Sequence, residues 1–103
     1  MKYRFVGWCH EENHDKVWGV IQLSENGVGE NHVMSEKFCT FWGRRGAKLQ
    51  TKVWDAFPWE LAHMFDQKMN RGYTKISPGQ LSQIYPEFED DLKKTAMWAV
   101  LTN

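Results

Sequence analysis

Hydrophobic and polar side chains follow two different periods along this chain, and the change comes near Pro58. Before that point the pattern is that of β-strands, whose side chains point alternately to two faces. Residues 2–8 alternate, with Tyr3 and Phe5 on one side. Residues 16–23 are apolar on both sides, which is typical of a central strand with both faces covered.

Two more strands follow, and each is preceded by a turn that is rich in glycine. The segment 24–31 contains an Asn-Gly pair, a strong signal for a tight turn between antiparallel strands. Residues 32–42 predict a long strand, residues 43–47 a glycine-bracketed turn, and residues 49–54 a further strand.

After Pro58 the apolar residues recur at helical spacing. We predict a helix that begins at this proline, where the missing N–H costs nothing, and stops at Gly72. Residues 77–80 have the pattern of a capping box before a short helical turn, and a last helix is predicted from Pro86 to about Leu101. The apolar stripe of the first helix consists of Leu61, Ala62, Phe65, Met69 and Tyr73.

Strands in the first half of the chain and helices in the second predict an α+β fold. We expect an antiparallel β-sheet with a helix packed on one face and a short C-terminal helical extension. No repeat, low-complexity segment or linker interrupts the 103 residues, so a single domain is expected. The aromatic residues expected in its core are Trp18, Trp54, Phe65 and Tyr73.

The charge of the chain is balanced overall but unevenly distributed. The formal net charge is zero, which argues against attraction of the whole protein to nucleic acid. Residues 37–53 nevertheless hold five basic side chains and no acid. This stretch predicts either a basic face for phosphate contact or a solvated strand edge with ordinary lysines. The five cations are Lys37, Arg44, Arg45, Lys48 and Lys52.

The cysteines and histidines suggest neither a metal site nor a catalytic centre. Cys9-His10 with His14 and Cys39 matches none of the usual zinc spacings. We expect reduced thiols, no cofactor, no metal and no enzymatic activity. With no signal peptide and no apolar stretch of membrane-spanning length, we expect a cytoplasmic protein that does not bind membranes. It would be nucleoid-associated in a bacterium or nuclear in a eukaryote.

The segment 40–46 (TFWGRRG) resembles the signature of WGR domains, which are named after the Trp-Gly-Arg run. Its context is also similar to that family, because an aromatic strand at 16–23 precedes the motif and Gly46 follows the arginine. A helix then leads to the Gly-Tyr pair at 72–73.

This resemblance implies the extent of the domain. It covers roughly residues 16–86, which we interpret as the core of a single WGR-like domain over residues 1–103. Residues 87–103 are expected to form a C-terminal helix. In poly(ADP-ribose) polymerases the domain continues towards a lysine and a Tyr-Pro pair, to which Lys75 and residues 85–86 are similar.

The same resemblance implies a function. In poly(ADP-ribose) polymerases the domain contacts DNA at a strand break near a 5′ end, with the motif tryptophan against a sugar or base and the arginine beside it. On the matching positions, this implies that Trp42 and Arg44 contact nucleic acid. Arg45 departs from the family pattern of a small β-branched residue; it either adds a phosphate contact or retunes the turn for another partner.

The chemistry of these residues suits such a role. An indole offers a flat face to a base or sugar, Gly43 and Gly46 allow a tight turn near phosphate, and Arg44 can bind phosphate through two hydrogen bonds. Such contacts carry little sequence information. We therefore expect binding to DNA ends or breaks, or to RNA, with little base preference. The predicted contact residues are Trp42, Gly43, Arg44, Arg45, Lys48 and Lys52.

Other interpretations of these residues stay open from sequence. Trp42 could be a core anchor, and Lys48 and Lys52 could share a strand face or be ordinary surface lysines. Lys68, Arg71 and Lys75 could extend the basic patch or complement the helix dipole.

The alternative function is a protein-interaction module, such as a small phage or bacterial regulator, that uses the same surface. The zero net charge favours this alternative. Trp59 and Trp98 lie off their helical stripes and could be exposed to a protein partner. No small-molecule substrate is evident.

Overall fold

The structure is a computed structural model that describes residues 1–23 and 35–98. The strands are β1 (Lys2–Cys9), β2 (Lys16–Gln22), β3 (Glu36–Arg44), β4 (Gln50–Ala56) and β5 (Thr74–Lys75). The helices are α1 (Pro58–Asn70), α2 (Pro78–Ile84) and α3 (Phe88–Lys93). Within these described ranges, no helix has both the length and the apolar character needed to cross a membrane. The turn predicted at 24–31 lies outside the described residues.

The five strands form one antiparallel sheet in the order β4-β3-β2-β1-β5. This confirms the α+β class and the antiparallel sheet. β2 is central and its side chains are buried on both faces, as its apolar run predicts. β5 pairs with Gly7 and Trp8 of β1; it was not predicted, because two residues are too few to show a period.

Each face of the sheet has its own hydrophobic cluster under different helices. α1 packs on one face, hereafter the α1 face, and α2 and α3 pack on the other, hereafter the α2–α3 face. The sequence does not show what the C-terminal extension covers; in the structure its helix α3 covers part of the α2–α3 face. The α1-face cluster is Phe5, Trp18, Val20, Phe38, Ala56 and Leu61. The α2–α3-face cluster is Val6, Val17, Ile21, Phe41, Leu49, Leu81, Tyr85, Phe88 and Leu92.

A β-bulge in β1 changes the side on which Tyr3 lies. The register with β2 shifts between Tyr3 and Phe5, so the prediction that these two residues share a side is wrong. Tyr3 packs against Phe41 on the α2–α3 face, with ring centroids 6.4 Å apart, and burial raises its pKa to about 12. A bulge inserts one extra residue into a strand, which a strict period of two does not reveal.

The buried stripe of α1 also differs from the predicted one. Leu61 is buried, but Ala62 and Met69 are exposed. Lys68 lies seven residues after Leu61 and therefore on the same side of the helix. Because it is a lysine, the apolar pattern does not indicate that it faces the sheet. Tyr73 lies beyond the end of α1 rather than on it, and still packs against the α1-face cluster.

The C-terminal helix is shorter than the predicted segment from Pro86 to about Leu101. α3 ends at Lys93, and turns follow. The hydroxyl and the backbone N–H of Thr95 both donate to the carbonyl oxygen of Leu92. This local hydrogen bonding closes a tight turn in place of the next turn of α-helix.

Candidate nucleic-acid interface

A cleft of about 690 Å³ opens between the α1 face of the sheet and the C-terminal half of α1. Strands β2, β3 and β4 form its sheet side, and residues from Met64 to Arg71 form its helix side. Four of the six predicted contact residues line this cleft, hereafter the α1 cleft. They are Trp42, Gly43, Arg44 and Lys52.

Aromatic side chains form the floor of the α1 cleft. Trp18 on β2 lies directly opposite Trp42 on β3 in the antiparallel register, so both indoles lie on one face. Trp18 is only 5% exposed, whereas Trp42, Trp54 and Tyr73 are half-buried. Half-buried rings are held by the core and can still stack on a planar ligand. Trp42 thus packs against the core and also lines an open cleft.

A hydrogen bond fixes one of these rings. The indole N–H of Trp54 donates to the hydroxyl oxygen of Thr40, which is 7% exposed. Trp54 also packs against Phe38, with ring centroids 6.2 Å apart. An indole N–H removed from water needs such an acceptor. The bond therefore orients the Trp54 ring as one wall of the cleft.

Five basic side chains surround the aromatic floor: three come from the sheet, one from α1, and one from the residue directly after α1. Lys16 and Arg44 lie opposite each other at the ends of β2 and β3. Among the described residues that line the cleft, Asp15 is the only acid, and it already pairs with an arginine outside the cleft. The cleft is therefore positive although the chain is formally neutral. The five cations are Lys16, Arg44, Lys52, Lys68 and Arg71.

Lys68 holds its ammonium group directly over the rings. Its Nζ lies 5.1 Å from the ring centroid of Trp18 and 5.8 Å from that of Tyr73. Burial lowers the pKa of Lys68, and the nearby charges of Arg71 and Lys16 lower it further. Cation–π contacts stabilise the ammonium only in part. Positive groups that converge in this way favour an anionic ligand.

Arg44 is exposed at the edge of the cleft. Its Nη1 donates to the backbone carbonyl oxygen of Asn13 at 3.1 Å. Within the described ranges, no carboxylate forms a salt bridge with this guanidinium. Most of its N–H donors therefore stay accessible for phosphate, which accepts paired hydrogen bonds from arginine.

Arg45 is directed away from the cleft and is tied into the fold. Its Nη2 lies 2.8 Å from Asp15 Oδ2, its Nε donates to the same oxygen, and its Nη1 donates to the carbonyl oxygen of Ile84. The guanidinium also lies 5.5 Å from the ring centroid of Trp8, whose N–H donates to Asp15. The Trp8 hydrogen bond, followed by the Arg45 contacts, holds the pKa of Asp15 below its ordinary value.

Lys48 and Lys52 do not share a face, despite their even spacing. Lys48 precedes β4, so the alternation of that strand does not extend to it. It borders a smaller cavity of about 340 Å³, together with Asp91, and not the α1 cleft. Lys75 lies on β5, at the opposite edge of the sheet from β4, and does not line the cleft either.

The motif turn depends on its two glycines. Gly46 has a φ of +82°, in the left-handed region that favours glycine. Gly43 has a φ of +155°, and a Cβ there would lie 3.2 Å from the carbonyl oxygen of Lys48. Both positions therefore favour glycine, and the turn between them leads the chain from Trp42 on β3 into β4.

Sequence reasoning missed part of the cleft. The sequence did not indicate Lys16, and it predicted Trp18, Trp54 and Tyr73 as core residues. Trp54 and Tyr73 do pack against the core, but each also exposes a part of its ring to the cleft. The common location of Lys16 and Trp18 with the motif residues follows from strand register, which opposes Trp18 to Trp42 and Lys16 to Arg44. The spacing of the residues along the chain does not fix that register.

The two cysteines do not line the α1 cleft. Cys9 and Cys39 are both free and buried, and burial raises the pKa of the Cys39 thiol to about 11. In the part of the chain that the structure describes, no three His, Cys, Asp or Glu side chains converge as metal ligands would.

Comparison of the chain with protein-family models, with curated proteins and with solved structures finds no match. The WGR resemblance therefore remains a prediction that rests on the motif residues and their context.

Proposed function

We propose that this chain is a WGR-type nucleic-acid-binding module that contacts DNA ends or breaks through its Trp-Gly-Arg turn, with little sequence preference. The observation that supports this proposal most directly is the α1 cleft, where aromatic rings lie among five basic side chains. Its one acid among the described residues, Asp15, is already paired with Arg45. Nucleic acids combine stacking surfaces with phosphate charge, and this cleft complements both.

Within this proposal, the parts of the motif have different roles. Trp42 offers its ring to a sugar or base, and Arg44 offers accessible N–H donors to a phosphate. Arg45 holds the turn in place through Asp15 instead of contacting the ligand. Stacking on the aromatic rings tolerates any base, and phosphate contacts carry no sequence information, so little base preference is expected.

Fluorescence-anisotropy titrations with labelled blunt, nicked and single-stranded oligonucleotides test the proposal. Affinity should fall steeply between about 50 and 200 mM salt, because binding releases counterions. Arg44→Gln should weaken binding on the order of 10-fold for unrelated sequences alike and should reduce the salt slope by about 1. Lys75→Gln, an exposed lysine at the far edge of the sheet, is the matched control and should change little.

An absence of binding to all three nucleic acids at low salt would remove the proposal. Equal losses for Arg44→Gln and Lys75→Gln would also count against it, because binding would then reflect overall charge and not the α1 cleft.

A protein-interaction module is the second candidate, and one observation favours it. Trp59 is 66% exposed and stacks on Phe57, with ring centroids 4.4 Å apart, outside the α1 cleft. If this exposed ring pair meets a protein, Trp59→Ser should abolish capture of a specific partner that survives nuclease treatment. Nucleic-acid binding by the same variant should then be unchanged.

A further inference from the structure

The α1 cleft has a recessed floor, and its depth limits what can reach it. Trp18 at the floor is almost fully buried, and the half-buried rings of Trp42, Trp54 and Tyr73 rise around it. Inside a duplex, both faces of a base pair are covered by neighbouring pairs, so these bases cannot stack on recessed rings unless they leave the helix. At a blunt end one face is free, but the terminal base stays paired to the other strand and cannot enter a recess alone. An unpaired base has a free face and can enter.

The size of the cleft agrees with a ligand of that kind. Its volume of about 690 Å³ lies within the range of pockets that enclose small organic ligands. Such a volume suits about one or two nucleotides, and it is far too small for a segment of duplex. A duplex could meet only the exposed cations at the edge, such as Arg44.

The cations are arranged for the phosphates on either side of an enclosed base. Lys16 and Arg44 extend from the sheet side of the cleft, and Lys68 and Arg71 from the helix side. A strand that passes between them would have its backbone flanked by positive charge on both sides. This arrangement of a charged groove over stacking rings is common among proteins that bind single strands.

We infer that the α1 cleft encloses an unpaired nucleotide of a single-stranded segment, so that this protein prefers single-stranded overhangs and gaps to blunt duplex. The inference rests on the proposed nucleic-acid function and adds the form of nucleic acid that occupies the site. The hydrogen bond to Thr40 also presets the Trp54 ring, which therefore loses little freedom when a base stacks on it.

Competition between matched oligonucleotides tests the inference. The set consists of a single strand, a blunt duplex of the same length, and that duplex with an unpaired overhang. The single strand and the overhang duplex should bind at least about 10-fold more tightly than the blunt duplex, the low end of what one stacked base contributes. Saturable quenching of the intrinsic tryptophan fluorescence should accompany binding, since the rings of the cleft would meet the base.

Trp54→Leu and Trp59→Leu form a matched pair of variants. The first removes a wall of the cleft, and the second removes an exposed tryptophan outside it. Trp54→Leu should lower single-strand affinity on the order of 10-fold and should lower blunt-duplex affinity by a smaller factor, whereas Trp59→Leu should change neither. Far-ultraviolet circular dichroism checks that both variants fold.

Photocrosslinking of the wild-type protein gives a test that needs no variant. A single strand that contains 5-iodouracil should crosslink to peptides that carry Trp42, Trp54 or Tyr73. Crosslinks confined to other peptides would overturn the inference, as would a blunt duplex that binds as tightly as the single strand; the second result leaves the proposed function intact. If no nucleic acid binds at all, both proposals fail together.

Discussion

The two faces of one sheet differ in how their helices cover them. On the α2–α3 face, Tyr85, Phe88 and Leu92 are at most 4% exposed and close the core over the strands. On the α1 face, the strand rings near the end of the helix are half-buried around an open cleft. Both faces are rich in aromatic side chains, so aromatic content does not separate a core from a site.

The difference comes from the helix positions that face each cluster. α3 presents two large apolar side chains to the sheet, whereas α1 presents Leu61 and Phe65 and then, near its C-terminal end, Lys68. A lysine keeps its ammonium near solvent and does not fill space as Phe or Leu does. The sheet under it is left partly uncovered. The comparison predicts that substitutions on the α2–α3 face mainly change stability and that substitutions in the cleft mainly change binding.

The largest expected effect is on the closed face. Phe88→Ala should lower the free energy of unfolding by about 3–5 kcal/mol, because it leaves a cavity between Phe41 and Tyr85, whose rings lie 4.8 and 5.6 Å from that of Phe88. Urea denaturation followed by circular dichroism measures this loss. Glu89→Ala, an exposed neighbour on α3, should change the free energy by less than about 0.5 kcal/mol. Similar losses for the two variants would show that α3 is not part of a closed core.

The next effect concerns the link between the motif turn and the loop before β2. Asp15→Asn should cost about 1–2 kcal/mol at neutral pH, because it removes the charge that holds Arg45. The folded pKa of Asp15 lies below its ordinary value of 3.8. Its contribution is therefore present above pH 3.8 and is lost as the pH falls through the lower folded pKa.

Denaturation of both proteins across the acid range checks this prediction. The difference between wild type and Asp15→Asn should shrink below about pH 4 as the wild-type carboxylate takes up its proton. A difference that stays constant down to pH 2 would mean that the charge of Asp15 does not stabilise the fold.

A smaller effect is expected at the edge of the closed core. The hydroxyl of Tyr85 donates to Asp91 Oδ2, and burial together with this acceptor raises the pKa of Tyr85 to about 12. Tyr85→Phe should cost about 1 kcal/mol at neutral pH. An unfolded tyrosine loses its proton near pH 10, so the Tyr85 contribution is complete below pH 10 and is lost as the pH rises towards 12. The difference in unfolding free energy between wild type and Tyr85→Phe should therefore be smaller at pH 11 than at pH 8. An equal difference at the two pH values would show that the Tyr85 hydroxyl does not stabilise the fold.

Much of the fold follows from local sequence signals. Pro58 begins α1 as predicted, and the Ser77 and Gln80 capping box begins α2 with both of its hydrogen bonds. The misses have tertiary or strand-pairing causes. The bulge that moves Tyr3 to the other face depends on how β1 pairs with β2, and β5 exists only because β1 offers it a free edge.

The candidate site was predictable to a similar extent. The motif places Trp42, Gly43 and Arg44 at the cleft, because a strand end and a glycine turn are local features. The different position of Arg45 could not be predicted, since its partner Asp15 lies 30 residues away in sequence. The sequence predicts Lys68 only as a cation that could extend the basic patch or complement the helix dipole. Its place over the rings could not be predicted, because a lysine at a core-facing helical position looks like a surface residue.

The smallest expected effect on stability is also the sharpest test of the difference between the faces. Lys68→Met keeps a long side chain against Trp18 and Tyr73 and removes a partly buried charge that Arg71 and Lys16 repel. The free energy of unfolding should change by no more than about 0.5 kcal/mol. Affinity for single-stranded oligonucleotide should nevertheless fall several-fold, with the salt slope reduced by about 1.

Lys48→Met removes an exposed lysine outside the α1 cleft, and it should leave both quantities unchanged. If Lys68→Met lost more than about 2 kcal/mol while binding stayed the same, Lys68 would be a packing residue. The α1 face would then be a core like its opposite.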